Sequence, residues 1–371
     1  MSDRSPLFEP LSVGSLRLRN RVVMAPMTRE SAPGGVPSAG MAEYYRRRAA
    51  GGVGLIITEG APPNEVGNFG ARVPRFYGDD ALAGWGRVVS AVHAEGCAVI
   101  AQLWHIGAFT PSLIGMADSL PPTIERLSPS GLAAPGRPFG RAMSAAEIAS
   151  TLDDFARSAA AARRIGFDGI EIHGAHGYLP DQFLWSGTNQ RTDCYGGPLQ
   201  NRIRFAAELV AACKAAAGAD FPVSYRLSQW KQLDYAAQVA RDRRELGVLI
   251  DALCAAGVDI FHCSTRRFWD PAFADDPRPL AAWVRELSGR PVMTVGSVTL
   301  GTDLKAPTGR SYAAVDLGQI AVLEEGLRAG RFDLVAIGRA LLANPDWVRL
   351  VEEGRPEELR AFERRYIEEL A

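Results

Sequence analysis

The chain has 371 residues, of which 41 are Lys or Arg and 42 are Asp or Glu, so its formal net charge is −1. This balance gives no field that attracts nucleic acid or an anionic membrane. Apolar residues make up 47% of the chain, enough for a large core, yet they form no run of about 18 residues that could span a membrane. Residues 1–6 lack the apolar core of a signal peptide, so we expect a cytoplasmic protein.

Strand-like and helix-like segments alternate along the chain, a pattern typical of βα units on a parallel sheet. Short apolar runs predict eight strands, at residues 21–25, 54–58, 98–103, 167–173, 222–227, 260–263, 292–295 and 334–337. Amphipathic or alanine-rich segments predict helices at residues 38–50, 82–94, 146–165, 201–217, 246–256, 280–287, 313–329 and 345–353. Eight such units predict a closed (β/α)8 barrel, or TIM barrel, and we expect residues 1–371 to form a single domain.

Three segments lie outside the repeating units. Residues 7–18 alternate around a Gly-Ser turn and predict a hairpin that closes the amino-terminal face of the barrel, with an ordered coil as the alternative. Residues 104–143 are rich in proline and glycine in their second half, so we predict a lid, or capping excursion, after the third strand. A second long connection, 174–200, also follows the carboxyl end of a strand, where such barrels carry their chemistry.

The fourth predicted strand carries the most informative polar residues. Alternation along residues 167–173 turns Glu171 and His173 toward the barrel interior, so His173 points to the barrel mouth. His176 and Tyr178 follow just beyond, and two imidazoles can hold a substrate oxygen while a phenol supplies a proton. Two alternatives stay open: histidines that only satisfy the core or a loop, and a metal site of Glu171, His173 and His176, as in a metal-dependent aldolase or hydrolase.

Further motifs stand at the ends of the other predicted strands. In chain order the set is Ala25-Pro26-Met27-Thr28, Thr58-Glu59-Gly60, Gln102-Leu103-Trp104, the stretch from His173 to Tyr178 with residues 189–197, Arg226, and the turns Gly296-Ser297 and Gly338-Arg339. Together, and over nearly the whole chain, they resemble the old yellow enzyme family of flavin-dependent alkene reductases. Thr28 resembles the branch of that family that has threonine at this position.

The resemblance implies a bound FMN. The residues it places around this cofactor are Ala25, Pro26, Met27, Thr28, Gly60, Gln102, Arg226, Gly296, Ser297, Gly338 and Arg339. Gln102 would bind the pyrimidine edge of the flavin, and Arg226 would place a positive charge beside N1 and O2. The glycines follow the last two strands, where barrels of this kind often bind phosphate. No G-x-G-x-x-G fingerprint opens a helix, which favours FMN over a dinucleotide.

The resemblance also implies a reaction in two halves. NADPH or NADH reduces the flavin, and an activated alkene, such as an enone or nitroalkene, then takes the hydride at its β carbon. His173 and His176 would bind the carbonyl or nitro oxygen, and Tyr178 would protonate the α carbon. The residues expected to contact this small-molecule substrate are Trp104, Phe109, Phe268 and Trp269. A pathway-specific reductase or isomerase of the same family is the alternative, and a homo-oligomer is left open.

Overall fold

The computed structural model describes residues 4–116, 118–119, 124–301 and 312–370. Eight parallel strands close into a barrel, each hydrogen-bonded to its neighbours in chain order and the last to the first. We number these strands β1 to β8: Val22–Met24, Leu55–Ile57, Ala98–Leu103, Gly169–His173, Val223–Leu227, Ile260–Ser264, Val292–Val295 and Leu334–Ile337. The predicted (β/α)8 fold is therefore confirmed.

Helices alternate with the strands and cover the outside of the barrel. The longer ones are Ala39–Ala50, Asp79–His93, Ala145–Ile165, Leu199–Ala217, Arg243–Ala256, Leu280–Ser288 and Gly318–Arg328, and the short ones are Leu179–Leu184, Arg339–Ala343, Trp347–Glu352 and Arg365–Glu368. Ser144 and Glu147 form the capping box that begins the longest helix. Over the described ranges, no helix has both the length and the apolar character needed to cross a bilayer.

The predicted helix 313–329 is wrong at its start. The helix begins only at Gly318, and Tyr312–Ala313 forms a short antiparallel strand with Phe362–Glu363. This pairing connects the segment after β7 to the end of the chain, a long-range contact that the local alanine content of the sequence could not reveal.

The amino-terminal hairpin closes the amino-terminal end of the barrel. Leu11–Val13 pairs antiparallel with Leu16–Leu18, as predicted. Val13, Leu16 and Leu18 are buried among the inward-facing residues of the strands, in an apolar cluster that includes Val23 and Leu334. The amino-terminal half of the barrel is thus a packed core, and the carboxyl-terminal half is left for polar side chains.

The excursion after β3 contains two small sheets. Leu127–Ser128 runs parallel to Arg141–Ala142, and Leu132–Ala134 pairs antiparallel with Arg137–Pro138. Of the predicted lid, residues 117 and 120–123 lie outside the described residues. The assignment of residues 1–371 to a single domain stays a prediction.

Candidate active site

The carboxyl ends of the barrel strands surround a cavity of about 900 Å³. Most residues predicted to bind cofactor or substrate lie in its wall. They are Ala25, Pro26, Met27, Thr28, Gly60, Gln102, Trp104, His173, His176, Tyr178, Arg226, Ser297, Gly338 and Arg339. Seven of the eight strands, all but β6, therefore bring these residues to one place, at the face where barrels of this kind carry their chemistry.

His173 ends β4 and is buried in the cavity wall. Its Nδ1 accepts the backbone N–H of Ala175 at 3.3 Å, so in the neutral ring Nε2 carries the proton. Burial, followed by the positive charge of Arg226, holds the pKa of His173 well below its ordinary value. The ring is therefore a neutral N–H donor at physiological pH.

His176 is held in a strained backbone conformation, with φ at 65°. Its ring stacks on Trp230 with 4.4 Å between centroids, and its Nε2 lies 2.8 Å from Oγ of Ser264 at the end of β6. Arg226 donates from Nη2 to the same hydroxyl oxygen at 3.1 Å. Burial, with the Arg226 charge next, also keeps the pKa of His176 well below its usual range. Ser264 thus connects the cation of β5 to the second imidazole.

Tyr178 lies between the imidazoles and the aromatic wall of the cavity. Its ring centroid is 5.0 Å from that of His173 and 5.0 Å from that of Trp104, both edge to face. Burial raises the pKa of the phenol, while a side-chain hydrogen bond with Gln232 acts in the opposite direction. Tyr178 is therefore protonated at neutral pH and can act as an acid.

Glu171 lies deeper in the barrel than the histidines. Its carboxylate accepts hydrogen bonds from Gln102, Ser224 and His262, each at 2.8 to 2.9 Å. Both oxygens of the Glu171 carboxylate are therefore hydrogen-bonded inside the barrel, beneath Gln102. Within the described part of the chain, no three His, Cys, Asp or Glu side chains have the arrangement of a metal site. The geometry does not support the alternative with Glu171, His173 and His176 as metal ligands.

The cavity fits the flavin ring of FMN. Arg226 is buried, and its Nε has no hydrogen-bond partner among the described residues, so this guanidinium has a donor to give to a ligand. Gly60 lies directly against Trp104, and an added Cβ would approach the indole to 2.6 Å. Gly60 therefore contributes only backbone to the cavity wall, which also carries the Arg226 cation and the Gln102 amide.

The turns after β7 and β8 bring Ser297, Gly338 and Arg339 to the cavity wall, where we expect the phosphate of FMN. Arg339 lies 3.4 Å from Oγ of Ser297 through Nη2, and a Cβ on Gly338 would meet nothing nearer than Met27 at 3.5 Å. Gly296 has a different role, because a Cβ there would approach the Thr265 carbonyl oxygen to 2.6 Å. A glycine is required at position 296 because two loops pack closely there. The open backbone at Gly338 and the positive charge of Arg339 suit a phosphate.

Three residues predicted to contact the substrate are not among the described residues that line the cavity. Phe109 packs behind Tyr178, with 5.3 Å between ring centroids. Phe268 is buried in the main apolar core, and Trp269, 40% exposed, packs on its edge. The loop after β6 therefore does not bring these two rings to the cavity wall, and the local sequence contains no signal for their placement.

Several cavity residues were not predicted from the sequence. Gln232 lies in the irregular segment after β5, and Arg364, Ile367 and Glu368 come from the carboxyl-terminal end of the chain. Arg29 holds that end in place, donating from Nη2 to the carbonyl of Tyr366 at 2.9 Å. Ser264 lies outside the cavity wall but contacts His176, and its position as a polar residue directly after the predicted strand 260–263 is a signal for such a role.

A (β/α)8 barrel with a buried arginine, paired neutral imidazoles and a phenol around one cavity defines a class, the flavin-dependent oxidoreductases. The model of the NADH:flavin oxidoreductase / NADH oxidase family matches residues 6–358, and the chain belongs to this family. It is 36% identical over 361 residues to 12-oxophytodienoate reductase 7 of Oryza sativa subsp. japonica, covering 93% of this chain and 87% of that protein. It is 33% identical over 371 residues to a flavin oxidoreductase of Emericella nidulans, covering 95% and 92%.

Solved structures show the same relationship. An old yellow enzyme homologue from Zymomonas mobilis is 28% identical, with a TM-score of 0.77 over 94% of this chain and 93% of that one. Morphinone reductase in complex with tetrahydroNAD is 29% identical, with a TM-score of 0.78 over 98% and 97%. The predicted family, enzyme class and cofactors are confirmed: the chain is an FMN-dependent oxidoreductase that takes electrons from a reduced nicotinamide nucleotide.

Proposed function

We propose that this oxidoreductase reduces the C=C bond of electron-poor alkenes, such as enones and nitroalkenes, with electrons from NADPH or NADH. The observation that carries the proposal is the meeting of His173, His176 and Tyr178 in one cavity with Gln102 and Arg226. Two neutral donors and a buried acid suit a reaction in which an oxygen is held while hydrogen adds to the neighbouring carbons.

The two imidazoles hold the carbonyl or nitro oxygen of the substrate. His173 donates from Nε2, because its Nδ1 already accepts the Ala175 N–H. Because Arg226 donates to the Ser264 oxygen, the Ser264 hydroxyl is free to donate a hydrogen bond to Nε2 of His176. In that tautomer Nδ1 of His176 carries the proton and is the second donor. The paired donors polarise the alkene and stabilise the enolate-like charge that develops on the oxygen.

When bound and reduced, FMN would supply a hydride for the β carbon. Tyr178 supplies the proton that ends on the α carbon, so one hydride and one proton saturate the bond. Thr28, Gln102 and Arg226 would bind the flavin ring, and the turns 296–297 and 338–339 its phosphate. Because Arg226 carries a permanent positive charge, it favours the reduced flavin, where negative charge collects.

A pathway-specific reductase or isomerase is the second candidate. Several relatives are named for one metabolite, among them 12-oxophytodienoate reductase 7 and a chanoclavine-I aldehyde reductase of Penicillium roqueforti. The same cavity would then serve one bulky alkene, and Trp104 and Ile367 in its wall would set the choice. In that case a single member of an alkene panel would be reduced much faster than the rest.

The test is anaerobic reduction of the purified yellow protein by NADH and by NADPH, followed by reoxidation with a panel of enones, nitroalkenes and oxygen. We expect rapid reoxidation by at least one alkene and a saturated product in the mass spectrum. Tyr178→Phe should slow reoxidation by enones roughly 10²- to 10⁴-fold, the usual contribution of a general acid, and leave flavin reduction unchanged. A flavin that reacts with oxygen alone would contradict the proposal.

A further inference from the structure

The segment after β5 contacts the loop that carries His176 and Tyr178 at several points. We call residues Trp230, Lys231 and Gln232 the brace. Lys231 forms a parallel bridge with His176, and the backbone N–H of Gln232 donates to the His176 carbonyl at 3.0 Å. The Trp230 ring stacks on the imidazole of His176, with planes 27° apart. The brace therefore holds both the backbone and the ring of a residue whose φ is strained.

Lys231 reaches beneath the same loop. Its Nζ lies 2.6 Å from Oδ1 of Asp181, and the two side chains are 1% and 0% exposed. The other carboxylate oxygen of Asp181 accepts the backbone N–H of Gly177 at 2.7 Å. The ion pair thus fixes the peptide between His176 and Tyr178. A buried ion pair adds little to the stability of a fold. The pair of Lys231 and Asp181 instead holds the active-site loop in position through the Gly177 N–H.

Gln232 extends the brace into the cavity. Its side chain lines the cavity wall and shares a hydrogen bond with the Tyr178 hydroxyl. In the reaction proposed above, the phenol loses its proton to the α carbon and is left as a buried phenolate. An amide N–H next to that oxygen stabilises the charge as it forms, because hydrogen bonds to charged groups are stronger than those between neutral groups.

We propose that the brace positions the proton donor, and that Gln232 is the positioning residue that stabilises Tyr178 as its proton leaves. The proposal rests on the function proposed above, since it requires Tyr178 to be the acid. It assigns a role in the second half-reaction alone. Flavin reduction by NADH or NADPH takes no proton from Tyr178, and therefore does not depend on the contact between Gln232 and the phenol.

The experiment measures both half-reactions of the holoenzyme by stopped flow, with cyclohexenone and a nitroalkene as acceptors. Gln232→Leu should slow reoxidation by cyclohexenone roughly tenfold or more, the factor that corresponds to about 1.4 kcal/mol. Flavin reduction should stay within about twofold, since a factor of two is only about 0.4 kcal/mol. The nitroalkene should react at the rate of the unmodified enzyme, because its nitronate is stable enough to leave without a proton from the protein. Slowing of both acceptors alike would indicate general damage to the site and overturn the proposal.

A double-mutant cycle separates the brace from the acid. Tyr178→Phe with Gln232→Leu should be no slower toward cyclohexenone than Tyr178→Phe alone, because Gln232 acts through the phenol. Gln238→Leu, on the exposed part of the same segment, is the matched control and should change neither half-reaction. If Tyr178→Phe slows reoxidation by cyclohexenone and Gln232→Leu does not, the role proposed for the brace is wrong while the proposed function stands. If Tyr178→Phe has no effect, the acid assignment fails first.

Discussion

Glu171 and His262 form a fully buried pair inside the barrel, with Oε2 of the carboxylate 2.9 Å from Nδ1 of the imidazole. The other oxygen, Oε1, accepts from Nε2 of Gln102 at 2.8 Å. The amide of Gln102 is therefore oriented from below, with its nitrogen bound to the carboxylate. Its carbonyl oxygen is left for a donor on the ligand, such as the N3–H of a flavin.

Replacing Glu171 with Gln tests this orientation. The new amide brings a donor to a site where Gln102, Ser224 and His262 all donate, and an unsatisfied buried donor costs about 1–3 kcal/mol. We expect a lower free energy of unfolding by that amount in urea titrations, and weaker FMN binding in fluorescence titrations. Ser224→Ala removes only one donor and is the milder control. Unchanged FMN affinity in Glu171→Gln would show that the orientation of Gln102 does not depend on the carboxylate.

Glu59, directly after the motif residue Thr58, gives the protein a predicted pH dependence. The side chain is fully buried, one oxygen accepts the Arg29 N–H at 3.0 Å, and the other has no partner within the described ranges. Burial raises the pKa of this carboxyl from 4.5 to about 7. Because the folded state holds this proton more tightly than the unfolded state, Glu59 favours folding below pH 4.5. That contribution is lost as the pH rises through 7.

Glu59→Gln should remove this dependence. One pKa unit corresponds to about 1.4 kcal/mol, so the variant should be about 3 kcal/mol more stable than the unmodified protein at pH 8. At pH 4 the two should be equally stable, since the carboxyl is then protonated in the folded chain. Urea unfolding at both pH values measures the difference, and the comparison cancels the contribution of the buried histidines. Equal stabilities at pH 8 would show that Glu59 is ionised without cost.

The sequence predicted those parts of the site that local pattern determines. Alternation along β4 placed Glu171 and His173 inside the barrel, and each is there. The turns after β7 and β8 were predicted from their positions at strand ends. Ser297, Gly338 and Arg339 of these turns line the cavity, and their contact with a phosphate stays a prediction. Phe268 and Trp269 were misplaced because an aromatic pair in a loop gives no sign of which side of the loop it covers.

Contacts between distant segments could not be predicted in this way. Gln232 meets Tyr178 across 54 positions only because the segment after β5 folds back over the loop after β4. The carboxyl-terminal end of the chain enters the cavity wall because Arg29 binds its backbone carbonyls. Neither feature has a local period or motif, so tertiary packing alone places them.

Gly60→Ala should damage the cofactor site without changing its chemistry. An added Cβ would approach Cε3 of Trp104 to 2.6 Å, so the indole or the floor of the cavity must shift. Overpacking of this kind costs about 1–3 kcal/mol. We expect weaker FMN binding and a lower melting temperature, measured by flavin fluorescence and calorimetry.

Gly86→Ala is the matched control for that substitution. Gly86 lies in the helix Asp79–His93, where an added Cβ would meet no described atom within 4 Å. Alanine in a helix is favoured over glycine by up to about 1 kcal/mol. This variant should therefore be as stable as the unmodified protein or slightly more so, with FMN affinity unchanged. Similar losses in both variants would remove the Trp104 contact as the cause.

Lys231→Met and Asp181→Leu test the ion pair of the brace by its effect on stability. Each single change leaves one buried charge without its partner, which costs about 3–5 kcal/mol. The double variant replaces both charges with apolar groups of similar size and should recover much of that loss. The Gly177 N–H still loses its acceptor, at about 1–3 kcal/mol, so recovery should be incomplete. Urea unfolding of the four proteins gives the coupling between the two side chains.

The double variant also separates stability from positioning. If the ion pair only stabilises the fold, a recovered free energy of unfolding should bring recovered rates in both half-reactions. If it fixes the Gly177 peptide, as the 2.7 Å contact with Asp181 indicates, reoxidation by cyclohexenone should stay slow while flavin reduction by NADH or NADPH recovers. We expect the second outcome, because no apolar pair can replace the acceptor for the Gly177 N–H. Gly177 lies between His176, whose backbone is strained, and Tyr178.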